Sequence, residues 1–335
     1  MLNYENRLNL YEDILSDYLT SDGDAQVAFR GRLLSRIMLE HGVPPDEVLK
    51  MHLEAFKTLR EQDNQKFNDS FDLLLDIMAG YRNAFQEMKD LKDRQRQLDW
   101  EITVAADMQQ TLLEGSVPDY PYADIGAVTE PAKKMSGDYY QFVESENRSI
   151  GIALADIVGK GIPAAMCMSM IKYAMDSLPE NRQDPRIVLA SLNRVVERNV
   201  DPSMFVTMFY GSYNPEKRVL TYSSAGHEPG LYYSASEHRF IDMQAKGLAL
   251  GLTPGTRYPQ YSLQLAPGDM IFLFTDGVTE SRTKHGFVGR QKLIQMLEKH
   301  LNLSAKKIVE RTFYELEKLQ DFELRDDFTF ITMKF

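Results

Sequence analysis

The sequence predicts an α+β protein in three parts: an all-α N-terminal bundle over residues 1–80, a helical coiled-coil linker over 81–118, and a C-terminal antiparallel β-sandwich flanked by helices over 119–335. Three observations predict it. Apolar residues recur every three or four positions through the first part, and a heptad seam then runs on without a breaker. Beyond Tyr122 the period falls to two, with tight turn material between short apolar runs.

Four short helices account for the bundle. Tyr11, Ile14, Leu15, Tyr18 and Leu19 share one helical face, and Val27, Leu33, Leu34, Ile37 and Met38 form a second stripe. His41-Gly42-Val43-Pro44 closes that second helix with glycine and then proline. Pro45-Asp46-Glu47 opens the third, since proline suits a first turn and acids suit the positive end of the helix dipole. Its apolar face is Val48, His52, Ala55, Phe56 and Leu59, and Phe67, Phe71, Leu74, Leu75 and Met78 supply the fourth. No cluster of His, Cys or paired acids occurs here, so this part reads as an interaction or dimerisation module.

From Tyr81 the positions Tyr81, Ala84, Met88, Leu91, Gln95, Leu98, Ile102, Ala105, Gln109 and Leu112 alternate in steps of three and four, a coiled-coil seam. The intervening Lys89, Asp90, Lys92, Asp93, Arg94 and Arg96 are mixed in sign, as on a solvated face. Gln95 and Gln109 at core positions weaken such a seam while fixing its register, which suits a switchable linker in a homodimer. The alternative is a single long helix packed on its own domain. Gly115, Pro118 and Pro121 end the helix.

In the last part strands fit 123–129, 138–144, 149–155, 204–213, 218–224, 238–243, 260–265, 269–275 and 327–334, with helices at 162–177, 185–199, 289–300 and 304–319. Asn214-Pro215-Glu216-Lys217 and Ala266-Pro267-Gly268-Asp269 are tight turns, which imply antiparallel hairpins rather than strand-helix crossovers.

Composition narrows the function. A net charge of −11 argues against a nucleic-acid backbone as the main partner. Cys167 is the only cysteine, so no intramolecular disulfide forms, and the polar, acidic N-terminus lacks an apolar signal core. No window reaches the length of apolar residues that a membrane span needs. The expectation is a cytoplasmic protein that engages neither nucleic acid nor membrane.

Four carboxylates carry the chemistry. Ile150 to Leu154 is an apolar run that leads to Asp156 and a glycine-punctuated turn, Asp156-Ile157-Val158-Gly159-Lys160-Gly161, before a small-residue helix. Gly137-Asp138 precedes it, and Thr275-Asp276-Gly277 and Arg325-Asp326-Asp327 follow, each at the edge of a strand-like run. Singly, each aspartate has a bland explanation: a capped turn, a hairpin or a solvated loop. Together they suggest one oxygen-rich site for two divalent cations, Mn²⁺ or Mg²⁺, ions that take hard oxygen ligands and serve phosphoryl transfer in pairs. Other classes fit less well: the spacing before Gly159-Lys160 is not that of a P-loop, no Gly-x-Ser-x-Gly elbow occurs, and a two-metal cyclase or nuclease lacks its nucleotide cradle. A catalytically dead scaffold would not need all four aspartates.

The motifs also resemble a known family. Gly137-Asp138-Tyr139-Tyr140, Ala155-Asp156-Ile157-Val158-Gly159-Lys160-Gly161, Ser224-Ala225-Gly226-His227-Glu228-Pro229, Phe274-Thr275-Asp276-Gly277-Val278-Thr279-Glu280 and Arg325-Asp326-Asp327-Phe328-Thr329 follow the order and spacing of the PPM (type 2C) metal-dependent Ser/Thr phosphatases, SpoIIE-like bacterial branch. The resemblance implies the PPM fold for residues 119–335. It implies that Asp156, Asp276 and Asp326 hold one metal, and that Asp138, Asp156 and the backbone carbonyl of Ile157 hold the other. It further implies a phosphorylated anti-sigma-factor antagonist as substrate, release of a stress sigma factor as outcome, and an HATPase-type serine kinase as activator at the N-terminal domain. Departures from the family pattern are equally specific. Lys133, followed by Lys134, stands where many relatives grip phosphate with arginine, and lysine lacks the bidentate fork. Val158 stands where some relatives carry a histidine acid, Ser136 replaces a glycine, and His227 reads as a structural histidine in a tight turn.

Overall fold

The computed structural model describes residues 4–21, 25–58, 64–113, 117–144, 148–159, 161–178, 184–201, 204–283, 286–320 and 324–335, with the side chains of 64–69 and 113 left aside. Leu59, the Phe67 side chain, Gly115 and Lys160 lie outside the described residues. The chain forms two compact units, Met1–Trp100 and Glu101–Phe335. Among the described residues no helix is long and apolar enough to cross a membrane.

The first unit packs α1 (Tyr4–Thr20), α2 (Ala25–Glu40), α3 (Pro45–Thr58) and the start of α4 (Asn64–Leu113). Tyr11, Leu15, Leu34, Met38, Val48, Met51, Leu73 and Ile77 are its buried centre. Three expectations shift. The fourth helix does not end before the linker: α4 runs unbroken through both, because no glycine or proline pair interrupts it. Its buried face is Ser70, Leu73, Leu74, Ile77 and Tyr81, whereas Phe71 and Leu75 are exposed. Tyr81, placed on the seam by spacing, is instead buried in the bundle, where its hydroxyl donates to the Val43 carbonyl.

The second unit contains β1 (Asp124–Glu130), β2 (Asp138–Glu144), β3 (Ile150–Val158), α5 (Ile162–Asp176), α6 (Pro185–Asn199), β4 (Phe205–Asn214), β5 (Val219–Ala225), β6 (Gly230–Ser234) and β7 (Arg239–Met243). It continues through β8 (Tyr261–Gln264), β9 (Met270–Phe274), α7 (Asp276–Thr279), β10 (Arg282–Thr283), β11 (Gly286–Phe287), α8 (Gly289–Glu298), α9 (Ala305–Leu319) and β12 (Phe328–Lys334). Two five-stranded antiparallel sheets, ordered β1-β12-β9-β6-β7 and β2-β3-β4-β5-β8, form the sandwich.

Period-two burial explains the layers. On β3, Ile150, Ile152 and Leu154 point into the sandwich against Ile271, Leu273, Ile331 and Met333. The alternate Ala153, Ala155 and Ile157 face Cys167, Ile171, Val188 and Leu192 of α5 and α6. The other sheet turns Phe272, Phe274, Phe328 and Phe330 outward to Leu293, Ile308 and Leu316 of α8 and α9. The result is helix, sheet, sheet, helix, with the strand ends free to carry a site.

Candidate active site

Asp138 opens β2 and is paired in register with Asp156 of β3. In the other sheet Asp276 begins α7 immediately after β9, and Asp326 lies just before β12, the strand hydrogen-bonded to β9. Antiparallel pairing thus brings four sequence-distant aspartates to one end of the sandwich, as two pairs. Thr275 ties the pairs together: its hydroxyl donates to Asp138 Oδ2 at 2.7 Å, and its Oγ1 accepts the Thr329 N–H at 3.1 Å. Among the described residues no three His, Cys, Asp or Glu side chains converge on one point.

The electrostatics of both pairs are unfavourable as the side chains stand. Burial, and then the neighbouring Asp156, hold the Asp138 carboxyl well above the usual carboxylate range, against hydrogen bonds from Thr275 and Thr329. Burial, and then Asp326, raise Asp276 to about 6, with Glu280 and Glu228 adding to the rise. Carboxylate oxygens brought together in pairs are the hard donor chemistry that a divalent cation takes, so the residues fit the implied metals.

Backbone close approaches fix this geometry. A Cβ on Gly277 would stand 2.0 Å from the Asp327 carbonyl oxygen, so only glycine lets α7 lie beside the Asp326 turn. The Ile157 N–H donates to the Gly137 carbonyl at 3.1 Å, which locks the two strand ends carrying Asp138 and Asp156. Asp327 was legible only as half of a solvated loop. Its carboxylate in fact accepts the N–H groups of Ala132 at 2.8 Å and Gly137 at 2.5 Å, and so orders the loop before Asp138. The sole sequence signal for that role is its adjacency to Asp326.

Other named residues take different places. Lys133 is exposed, and Lys134 Nζ donates to Thr103 Oγ1 at 3.0 Å. His227 is buried and its imidazole is lowered to about 4 by burial, hence neutral. Gln109, assigned by spacing to a seam between chains, is buried against its own domain. Its amide donates to the Ser136 carbonyl at 2.8 Å and accepts the Ser136 N–H at 3.2 Å, while Ser136 Oγ accepts the Asp138 N–H at 3.0 Å.

Residues 146–335 match the family model described as Stage II sporulation protein E (SpoIIE). The chain belongs to the SpoIIE family of PP2C-type phosphatases. It is a phosphatase, and so a hydrolase, of a metal-dependent family. Residues 9–84 match a second model, Phosphoserine phosphatase RsbU, N-terminal domain. The SpoIIE-family relative "Phosphoserine phosphatase RsbU" of Bacillus subtilis (strain 168) is 48% identical over 97% of this chain and 96% of its own. Among solved structures, the SiaA-PP2C domain of Pseudomonas aeruginosa superposes with a TM-score of 0.63 at 21% identity, over 72% of this chain and 98% of that one. The RsbU and RsbW domains of Rv1364c from Mycobacterium tuberculosis give a TM-score of 0.55 at 24% identity, over 65% and 61%. At those identities the structural matches speak to the PP2C fold alone.

Proposed function

We propose that this chain is a protein serine/threonine phosphatase that uses two divalent cations, Mn²⁺ or Mg²⁺, to dephosphorylate a phosphorylated anti-sigma-factor antagonist, and so promotes a stress sigma factor. The observation that carries the reading is two carboxylate pairs at one end of the sandwich, linked through Thr275, in a chain similar to RsbU along almost its whole length. Asp156, Asp276 and Asp326 would hold one ion, and Asp138, Asp156 and the Ile157 carbonyl the other. When bound, such ions acidify water between them and neutralise charge on a phosphoryl group. The protein's part is positioning: Thr275 orients Asp138, Asp327 fixes the loop at Gly137, and Gly277 admits Asp276 beside Asp326.

The N-terminal part serves regulation in this reading, with an HATPase-type serine kinase as activating partner and a homodimer as the working form. Phe29, Leu33, Leu49, Leu53 and Leu75 expose apolar surface in the first unit, and Leu91 and Leu98 do so along α4. Apolar side chains left in water on a helical module support its use as an association surface. The test is phosphate release by the full chain from a serine-phosphorylated antagonist, with Mn²⁺ or with chelator, and with or without the kinase. Metal-dependent release that the kinase increases supports the reading; release that persists in chelator overturns it.

A further inference from the structure

The Ser224-Ala225-Gly226-His227-Glu228 segment has no part in the chemistry above, yet it joins both halves of the site. β5 ends at Ala225 in one sheet and β6 begins at Gly230 in the other, so the turn crosses the sandwich beside the carboxylates. It is tightly built. Gly226 has φ +71°, a Cβ there would stand 3.1 Å from the Ala249 nitrogen, and the His227 N–H donates to the buried Ser224 hydroxyl at 3.1 Å.

One side of the turn reaches Asp156. Thr207 is the register partner of Asp156 across β3 and β4, and its hydroxyl donates to the Asp156 carbonyl at 3.4 Å. His227 Nδ1 lies 3.0 Å from the same Thr207 oxygen. The Thr207 hydroxyl therefore stands between the Asp156 carbonyl and the neutral His227 imidazole, within hydrogen-bonding reach of both. The other side reaches Asp276. Glu228 accepts the hydroxyl of Thr279, the last residue of the α7 turn that Asp276 opens, at 2.8 Å. Arg290 fixes that carboxylate, donating to Glu228 at 3.1 Å and to the Pro229 carbonyl at 2.6 Å, with its guanidinium over the Phe274 ring.

We propose that this turn is a brace: His227 through Thr207, and Glu228 through Thr279, hold Asp156 and Asp276 at the separation a shared metal requires. The proposal rests on the metal assignment above. His227 and Glu228 are positioning residues in it, since neither is among the proposed ligands. Groups behind metal ligands typically change affinity about 10–100-fold when lost. Because the ligands themselves remain, saturating metal recovers turnover.

The test is Mn²⁺ binding by the full chain, followed as the signal of free Mn²⁺ in electron paramagnetic resonance, beside hydrolysis of p-nitrophenyl phosphate over a Mn²⁺ series. Thr207→Val and Thr279→Val are each expected to raise the half-saturating Mn²⁺ about tenfold, equivalent to about 1.4 kcal/mol, with kcat at saturating Mn²⁺ within about threefold of wild type. Thr207→Ser restores the wild-type value, which a role in packing alone would not produce. Unchanged half-saturation in both variants, or a Thr207→Ser chain as defective as Thr207→Val, overturns the brace. Asp156→Asn is the control for the underlying reading: if it binds Mn²⁺ as wild type does, the metal assignment fails, whatever the brace variants do.

Discussion

Replacing Asp156 by Asn perturbs the site in two opposite directions, and the structure sets the size of each. Asp138 and Asp156 are direct register partners, so their Cβ atoms, and with both carboxyls ionised their charges, stand on the order of 5 Å apart. At an effective dielectric constant of about 20 the repulsion is about 3 kcal/mol. Because Asp156 is only half-buried, solvent screening reduces this to about 1–2 kcal/mol. Removing it stabilises the metal-free protein, and at about 2–4 °C per kcal/mol the Tm in chelator rises by roughly 2–8 °C at pH 7.5. Metal has the opposite effect on the comparison. A ligand at a hundred times its Kd contributes about 2.7 kcal/mol per site, which the wild type gains and the variant, lacking the bridging carboxylate, does not. The order of the two Tm values therefore inverts between chelator and millimolar Mn²⁺, and phosphatase activity is abolished throughout. Thermal unfolding of both proteins under both conditions, with phosphate release measured in parallel, reads this directly. A variant that retains the full Mn²⁺-induced rise in Tm, or more than about a tenth of wild-type activity at saturating Mn²⁺, refutes the assignment.

Three further outcomes follow from other parts of the molecule. Asp276, raised to about 6, and Asp138, raised well above the usual range, bind protons more tightly folded than unfolded. Metal-free stability from these groups is therefore full below about pH 4 and lost as pH rises through 6 and beyond, while Mn²⁺ affinity falls about tenfold per unit below pH 6; calorimetric titrations from pH 5 to 8 check both. A fragment of residues 119–335 keeps every proposed ligand and its sandwich core but lacks Gln109; it should fold, show weak basal activity and ignore the activating partner, and a fragment as active as the stimulated full chain would reverse the sign of regulation. Gln95→Leu, on the exposed middle of α4 between Leu91 and Leu98, should tighten self-association by about 1–2 kcal/mol in sedimentation equilibrium, and an unchanged association constant removes the coiled-coil reading of the linker.

Much of the second unit was legible because its sheets are amphipathic by alternation. Strands such as β2 and β4, and helices α6 and α9, lie within a residue or so of where period and turn chemistry place them. Gly230–Ser234 was missed as a strand: it is only five residues long, and the Gly-His-Glu-Pro turn before it reads as a longer loop. Asp276-Gly277 suggested a hairpin, whereas the chain makes one helical turn there, since the close passage of Asp327 rather than local propensity decides its path. The four aspartates could be nominated from strand-edge position, but their grouping into two pairs depends on strand order, which no local pattern encodes. The α4 seam shows the converse limit. Spacing alone cannot say whether a heptad position faces a partner helix or its own domain, and Tyr81 and Gln109 face their own domains.

The Gln109 amide restricts α4 in rotation. It meets Ser136 with a donor and an acceptor side by side, so the contact closes at only one angle of α4 about its own axis. An α-helix turns about 100° per residue, and with a side-chain radius of about 5–6 Å a twist of only 20–30° sweeps the amide by about 2–3 Å, enough to part both bonds. The end of α4 is thus a torsion gauge. It transmits little of a push along the helix axis shared by the whole loop, but it registers rotation sharply, one link from the Asp138 N–H. Rotation of α4 at Gln109, more than a shift along its axis, is thus what would disturb the Ser136 turn beside Asp138.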